Sequence, residues 1–84
     1  MSEKDLVLYY FPECPFCQIV LDKIDALGIV EKIKLKNINT DSVAEEFHIN
    51  TTGRRTVPCL YIYGSPMFES ADINAWLETN QANL

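Results

Sequence analysis

Leu6-Val7-Leu8-Tyr9-Tyr10-Phe11-Pro12-Glu13-Cys14-Pro15-Phe16-Cys17 is the stretch on which the reading of this chain turns. Six consecutive apolar, β-prone residues predict a strand buried on both faces, and therefore a central one. Pro12 stops that strand. Pro15 suits the first turn of a helix, where a missing N–H costs nothing. Cys14 and Cys17 thus fall where a buried strand gives way to a helix.

Downstream, Phe16, Ile19, Val20, Ile24 and Leu27 recur at helical spacing until Gly28 supplies a stop, which predicts a helix with one face on the sheet. Lys32, Lys34 and Lys36 alternate with Ile33 and Leu35. That period of two predicts an edge strand, parallel to the first and protected by lysines. Asn39, Thr40 and Asp41 offer caps for a short helix carrying Val43, Ala44 and Phe47, expected to end before Asn50-Thr51-Thr52-Gly53. Val57 to Tyr63 reads as a third strand, Gly64-Ser65 as a two-residue turn and Pro66-Met67-Phe68 as its edge partner. Ser70 is a candidate cap for a last helix with Ile73, Trp76 and Leu77 inward, and the chain beyond Thr79 is expected to fray.

The order β-α-β-α-β-β-α predicts an α/β fold, a four-stranded mixed sheet flanked by three helices, with a right-handed crossover between the first two strands. Eighty-four residues suffice for one core, so residues 1–84 are expected to form a single domain and act as a monomer. An apolar share of 48% is that of an ordinary globular chain. No apolar run approaches the ~18–20 residues of a membrane span, and the polar start Met1-Ser2-Glu3-Lys4-Asp5 does not resemble a signal peptide. No membrane association and a cytoplasmic location are expected. A net charge of −5 repels nucleic acid, so no nucleic-acid partner is expected.

Three cysteines, two of them in one tight Cys-x-x-Cys, suggest chemistry rather than a secreted disulfide scaffold. At the helix N-terminus, free backbone N–H groups and the helix dipole favour a thiolate at Cys14, the expected nucleophile. Cys17 lies one turn deeper, within reach of a mixed disulfide on Cys14 and more shielded, and is the expected resolving thiol. Structural zinc needs four ligands. Beyond Cys14, Cys17 and Cys59 the chain offers only His48, at unsuitable spacing, so no metal is expected. Cys59 alternates with Tyr61 and Tyr63 and is expected to be a buried, inert thiol, with the tyrosines in the core. His48 is expected on the surface, and Phe16 is expected to pack.

Thr56-Val57-Pro58 is the second informative segment. A proline just before a strand can hold a cis peptide bond and leave the preceding N–H and C=O for pairing with an extended peptide. Taken alone it reads as a plain strand-entry proline; its placement after a Cys-x-x-Cys helix favours the cis reading.

On these residues the chain resembles the glutaredoxin branch of the thioredoxin-like proteins. Cys14-Pro15-Phe16-Cys17 is similar to the dithiol motif, and Thr52-Gly53-Arg54-Arg55-Thr56-Val57-Pro58 to the family's loop and cis-proline. The resemblance covers nearly the whole chain. It implies a thioredoxin-like fold and glutathione lying along Thr56, Val57 and Pro58. It also implies that the γ-glutamyl end reaches Ser70 and Asp72, with Arg54 or Arg55 neutralising a carboxylate. Phe11 stands where many glutaredoxins carry a lysine, and Glu13 adjoins Cys14. Phe68-Glu69 replaces the usual glycine pair, and Glu69-Ser70-Ala71-Asp72-Ile73 looks like the corresponding corner of glutathione transferase N-terminal domains. A transferase would need a helical second domain, and none is expected within these 84 residues.

The resulting expectation is a glutathione-dependent thiol-disulfide oxidoreductase acting on disulfide-bonded or glutathionylated proteins. Cys14 and Cys17 would be catalytic, with Arg55, Thr56, Val57, Pro58, Glu69, Ser70 and Asp72 at the glutathione site. Two alternatives are a thioredoxin-type reductant recycled by a flavoprotein reductase and a glutathione-ligated iron-sulfur carrier. Arg54, Arg55 and the Glu69-Ser70 corner speak against the first, Pro15 and Cys17 against the second.

Overall fold

The computed structural model describes residues 6–84. The polar start, residues 1–5, lies outside the described residues.

Strand β1 (Leu6–Tyr10) pairs parallel with β2 (Ile33–Asn37) and antiparallel with β3 (Cys59–Ile62), which pairs antiparallel with β4 (Ser65–Phe68). The sheet order β2-β1-β3-β4 makes β1 an interior strand and β2 an edge, as the apolar run and the alternating lysines predict. Helices α1 (Pro15–Leu27), α2 (Ser42–Thr52) and α3 (Ser70–Asn80) complete the expected order, with short 3₁₀ turns at Val30–Lys32 and Gln81–Asn83.

Side-chain alternation along the strands divides the interior in two. Leu6 and Leu8 of β1 and Leu60 of β3 meet Val20, Ile24, Ile73 and Leu77 from α1 and α3. Tyr9, Cys59 and Tyr61 point the other way and pack with Ile38 and Ala44 on the α2 side. The register Leu8↔Leu60 and Tyr9↔Cys59 keeps each set on its own face.

Several local expectations are corrected. In α1 the buried line is Cys17, Val20 and Ile24, while Phe16 and Ile19 are exposed. The stripe is rotated because Cys17 itself belongs to it. Helix α2 runs through Asn50, Thr51 and Thr52 to Gly53, whose φ of 81° is the left-handed stop, so the polar residues expected in a loop form its last turn. Asp41 caps it by accepting from the Ala44 N–H at 3.0 Å. Its buried residues are Ala44 and His48, whereas Val43 and Phe47 are exposed.

The β3–β4 turn is Tyr63-Gly64, one residue earlier than expected, with φ of 52° and 93°. Positive φ at both positions matches the right-handed twist of a tight hairpin and leaves Tyr63 exposed rather than in the core. Strand β3 starts at Cys59 rather than Val57. Glu69, not Ser70, is the N-cap of α3, and its φ of 76° is rare for a residue with a side chain. The chain does not fray after Thr79. Helix α3 continues to Asn80, Leu84 packs on the larger core, and Lys32 Nζ donates to the Leu84 oxygen at 2.8 Å.

Candidate active site

The C-terminal end of β1 and the start of β3 lie at one end of the sheet, because the two strands are antiparallel with Tyr9 opposite Cys59. That register brings the Cys14 turn beside Thr56-Val57-Pro58, 43 residues away in sequence. The Cys14 sulfur lies 4.0 Å from the Val57 carbonyl oxygen.

Cys14 is the N-cap of α1 and its sulfur accepts from the Cys17 N–H at 3.4 Å. This is one of the donors that a helix start leaves without an internal partner. Gln18 Nε2 donates to the Pro12 carbonyl at 2.9 Å and ties the preceding turn to the same helix.

The three cysteines are free thiols in unlike surroundings. Cys14 is half-buried; Cys17 and Cys59 have no exposed surface. Burial pushes the Cys17 thiol up to about 12, against a lowering hydrogen bond with the Phe11 backbone, and the neighbouring Cys14 pushes it further in the same direction. Burial likewise pushes Cys59 up to about 12, partly offset by a backbone hydrogen bond at Met67 and the Arg54 charge. Both thiols therefore stay protonated and shielded over the ordinary pH range. Iodoacetamide is expected to label one thiol per native reduced chain, Cys14, and three after unfolding. Mass spectrometry of the labelled peptides checks this, and early labelling of Cys59 would overturn its assignment as inert.

A cleft of ≈ 270 Å³ opens at Val57, which the Cys14 sulfur approaches, although Cys14 is not itself among the lining residues. Thr56, Val57 and Pro58 line it, and the Val57-Pro58 peptide bond is cis. Phe16 and Phe68 contribute aromatic walls, with Arg54, Glu69 and Ser70 completing the lining. Phe16 was expected to pack. Instead it is 61% exposed at the cleft.

Of the other residues expected here, Arg55 lies outside the cleft lining. It pairs with Glu45 and donates to Asn39 Oδ1 at 2.6 Å, and its guanidinium stands 5.6 Å from the Phe11 ring centroid. Asn39 in turn donates to Glu13 at 3.2 Å, so Glu13 is tied to this network. Arg54 is the cation of the cleft, 4.2 Å from the Phe68 ring centroid. Asp72 is exposed in the first turn of α3 and is likewise not in the lining.

His48 is the clearest departure from the sequence reading. It is fully buried rather than on the surface, stacked on Tyr9 at 5.2 Å between centroids. Its Nδ1 is 2.9 Å from the Tyr61 hydroxyl and its Nε2 is 2.7 Å from the Thr56 carbonyl oxygen. Neither partner stands at a spacing that local sequence could reveal. Among the described residues no group of three or more His, Cys, Asp or Glu is placed to hold a metal ion, and no helix is long and apolar enough to cross a membrane.

Comparison with known proteins places these features in a family. Residues 6–67 match the model of the glutaredoxin family. A search of curated proteins gives no match to this sequence. Among solved structures, a wheat glutaredoxin is 26% identical, with a TM-score of 0.64 over 88% of this chain and 70% of that one. An epsilon-class glutathione S-transferase from housefly, Musca domestica, is 26% identical, with a TM-score of 0.71 over 90% of this chain. The chain spans only 35% of that transferase's length. A thioredoxin-like protein matched over 93% of this chain and 97% of its own, with a TM-score of 0.72 at 19% identity, shows the thioredoxin-like fold.

Proposed function

The chain belongs to the glutaredoxin family, and from that premise we propose that it is a glutathione-dependent reductase of glutathionylated and disulfide-bonded proteins. The observation that carries this reading is the half-exposed Cys14 sulfur at a helix N-terminus, 4.0 Å from the Val57 carbonyl at the edge of a peptide-sized cleft.

On a glutathionylated protein, the Cys14 thiolate attacks the glutathione sulfur. A disulfide forms between Cys14 and glutathione, and the protein thiol leaves with a proton from solvent. A second glutathione thiolate attacks the glutathione sulfur of that disulfide, releasing oxidised glutathione and restoring Cys14. On a protein disulfide, Cys14 first forms a mixed disulfide with one target sulfur. Cys17 loses its proton and attacks Cys14, freeing the reduced target and leaving a Cys14–Cys17 disulfide that two glutathione molecules reduce.

Glutathione is an extended, doubly carboxylated peptide, and the cleft offers complementary groups. Arg54 supplies a cation for one carboxylate, and the N–H groups at the start of α3, around Ser70, suit another. Glu69 can meet the amino group of the γ-glutamyl end, and Asp72 stands one turn into the same helix. The backbone of Val57 is the pairing edge for the cysteinyl residue. Pools of reduced glutathione belong to reducing compartments, and we place the protein in the cytoplasm as a monomer.

The test is to supply electrons to the reduced protein in two ways. With glutathione and its reductase, the enzyme is expected to turn over a glutathionylated peptide. With a flavoprotein thioredoxin reductase and no glutathione, it is expected to stay idle. The opposite pattern would replace this reading with a thioredoxin-type one.

A further inference from the structure

We infer that His48 is a positioning residue that fixes the direction of the Thr56–Val57 peptide and so presents the Val57 N–H to the thiol peptide in the cleft. The inference rests on the proposal that glutathione pairs along this segment. It assigns a task to a buried histidine that takes no part in the sulfur chemistry.

A carbonyl oxygen can only accept, so the 2.7 Å contact requires His48 Nε2 to carry a proton and donate to Thr56. In the neutral ring Nδ1 is then the acceptor, and the Tyr61 hydroxyl at 2.9 Å donates to it. Burial pushes the Tyr61 phenol up to about 12, so its hydroxyl keeps the proton that it donates to Nδ1. A single direction of donation runs from Tyr61 through His48 to the Thr56 carbonyl. Every member is a protein group, so the tautomer is set from within the fold.

The Thr56–Val57 peptide is trans, since the cis bond of this segment is the following one. In a trans planar peptide the C=O and the N–H point in opposite directions. With the Thr56 carbonyl turned inward to His48, the Val57 N–H is turned outward, toward the cleft that Val57 lines. Flipping this peptide would bury an N–H against His48 and aim a carbonyl at the incoming peptide, removing the donor it needs. The hold reaches the helix as well. The Thr52 hydroxyl donates to the His48 carbonyl at 2.8 Å and accepts from the Arg54 N–H at 3.3 Å, so the end of α2 and the loop leading to Thr56 are fastened at one point.

Three variants and one spectrum test this. A glutamine amide can stand where Nε2 stands, so His48→Gln is expected to keep the KM for glutathione within about twofold of wild type. His48→Phe keeps the ring on Tyr9 but loses the donor, and is expected to raise that KM about tenfold, the effect of one lost hydrogen bond. The iodoacetamide rate at Cys14 should be unchanged in both, which separates positioning from damage to the nucleophile. Equal KM values in His48→Gln and His48→Phe would overturn the inference. Should His48→Phe fail to fold, Tyr61→Phe removes only the hydroxyl and is expected to raise the KM in the same direction; an unchanged KM there would overturn it too. In the wild type, nitrogen-15 NMR should show the Nε2–H tautomer, and the Val57 amide resonance should move on adding a glutathione mixed disulfide at Cys14. An Nδ1–H tautomer or an unmoved amide counts against the hold. Absence of glutathione saturation in the wild type would sink the proposed function instead, with the tautomer still reporting on His48.

Discussion

A Cys14→Ser protein is expected to show no turnover above the uncatalysed rate on either glutathionylated or disulfide-bonded substrates. The reaction passes through a disulfide on residue 14, and an oxygen at that position cannot form one. No other thiol can substitute. Cys17 and Cys59 are without exposed surface, and burial holds both protonated up to about 12. The fold should be intact in this variant, because residue 14 caps α1 by accepting from the Cys17 N–H, and serine is itself a good N-cap. Circular dichroism with a glutathione-coupled assay checks both halves of the expectation. Residual turnover in a folded Cys14→Ser protein would show that the chemistry runs through another group.

A Cys17→Ser protein, by contrast, is expected to separate the two substrates. Reduction of a glutathionylated peptide needs only Cys14 and incoming glutathione, so most of that activity should remain. Reduction of a protein disulfide by the dithiol route needs Cys17 to break the mixed disulfide, so that activity should fall to background. The variant should instead accumulate a covalent adduct with the target, visible on a non-reducing gel and cleared by dithiothreitol. Equal loss on both substrates would remove the distinction between nucleophile and resolving thiol. Burying a serine hydroxyl at the fully buried position 17 carries a stability cost of its own, about 1–3 kcal/mol if the hydroxyl finds no partner. Rates must therefore be compared well below the unfolding transition.

The two readings of α1 show how far sequence reasoning carries. Its start at Pro15, its end before Gly28 and the placement of Cys14 at its N-terminus are local matters of caps and backbone preference, and they stand in the structure as read. Its buried face is not local. Phe16, Ile19, Val20, Ile24 and Leu27 all suit an apolar stripe, but only the packing of α1 on β1 and α3 selects the line through Cys17, Val20 and Ile24 and turns Phe16 out to the cleft. The arginines repeat the lesson. Adjacent in sequence, Arg54 and Arg55 diverge because Glu45 and Asn39 hold one while the ring of Phe68 receives the other.

By itself, the sequence determined whatever depends on residues a few positions apart. This includes the order of helices and strands along the chain, an interior first strand and lysine-lined edge, the Cys-x-x-Cys at a strand-to-helix junction, and the cis-proline segment that the junction makes significant. Tertiary structure alone decided what depends on pairs far apart along the chain. It placed Cys14 beside Val57, gathered Phe16, Arg54 and Phe68 around one cleft, and buried His48 between Tyr61 and Thr56. The physical reason is range. Backbone preferences and side-chain periodicity act within a turn or a strand, whereas a buried polar group finds its hydrogen-bond partners wherever the folded chain brings them.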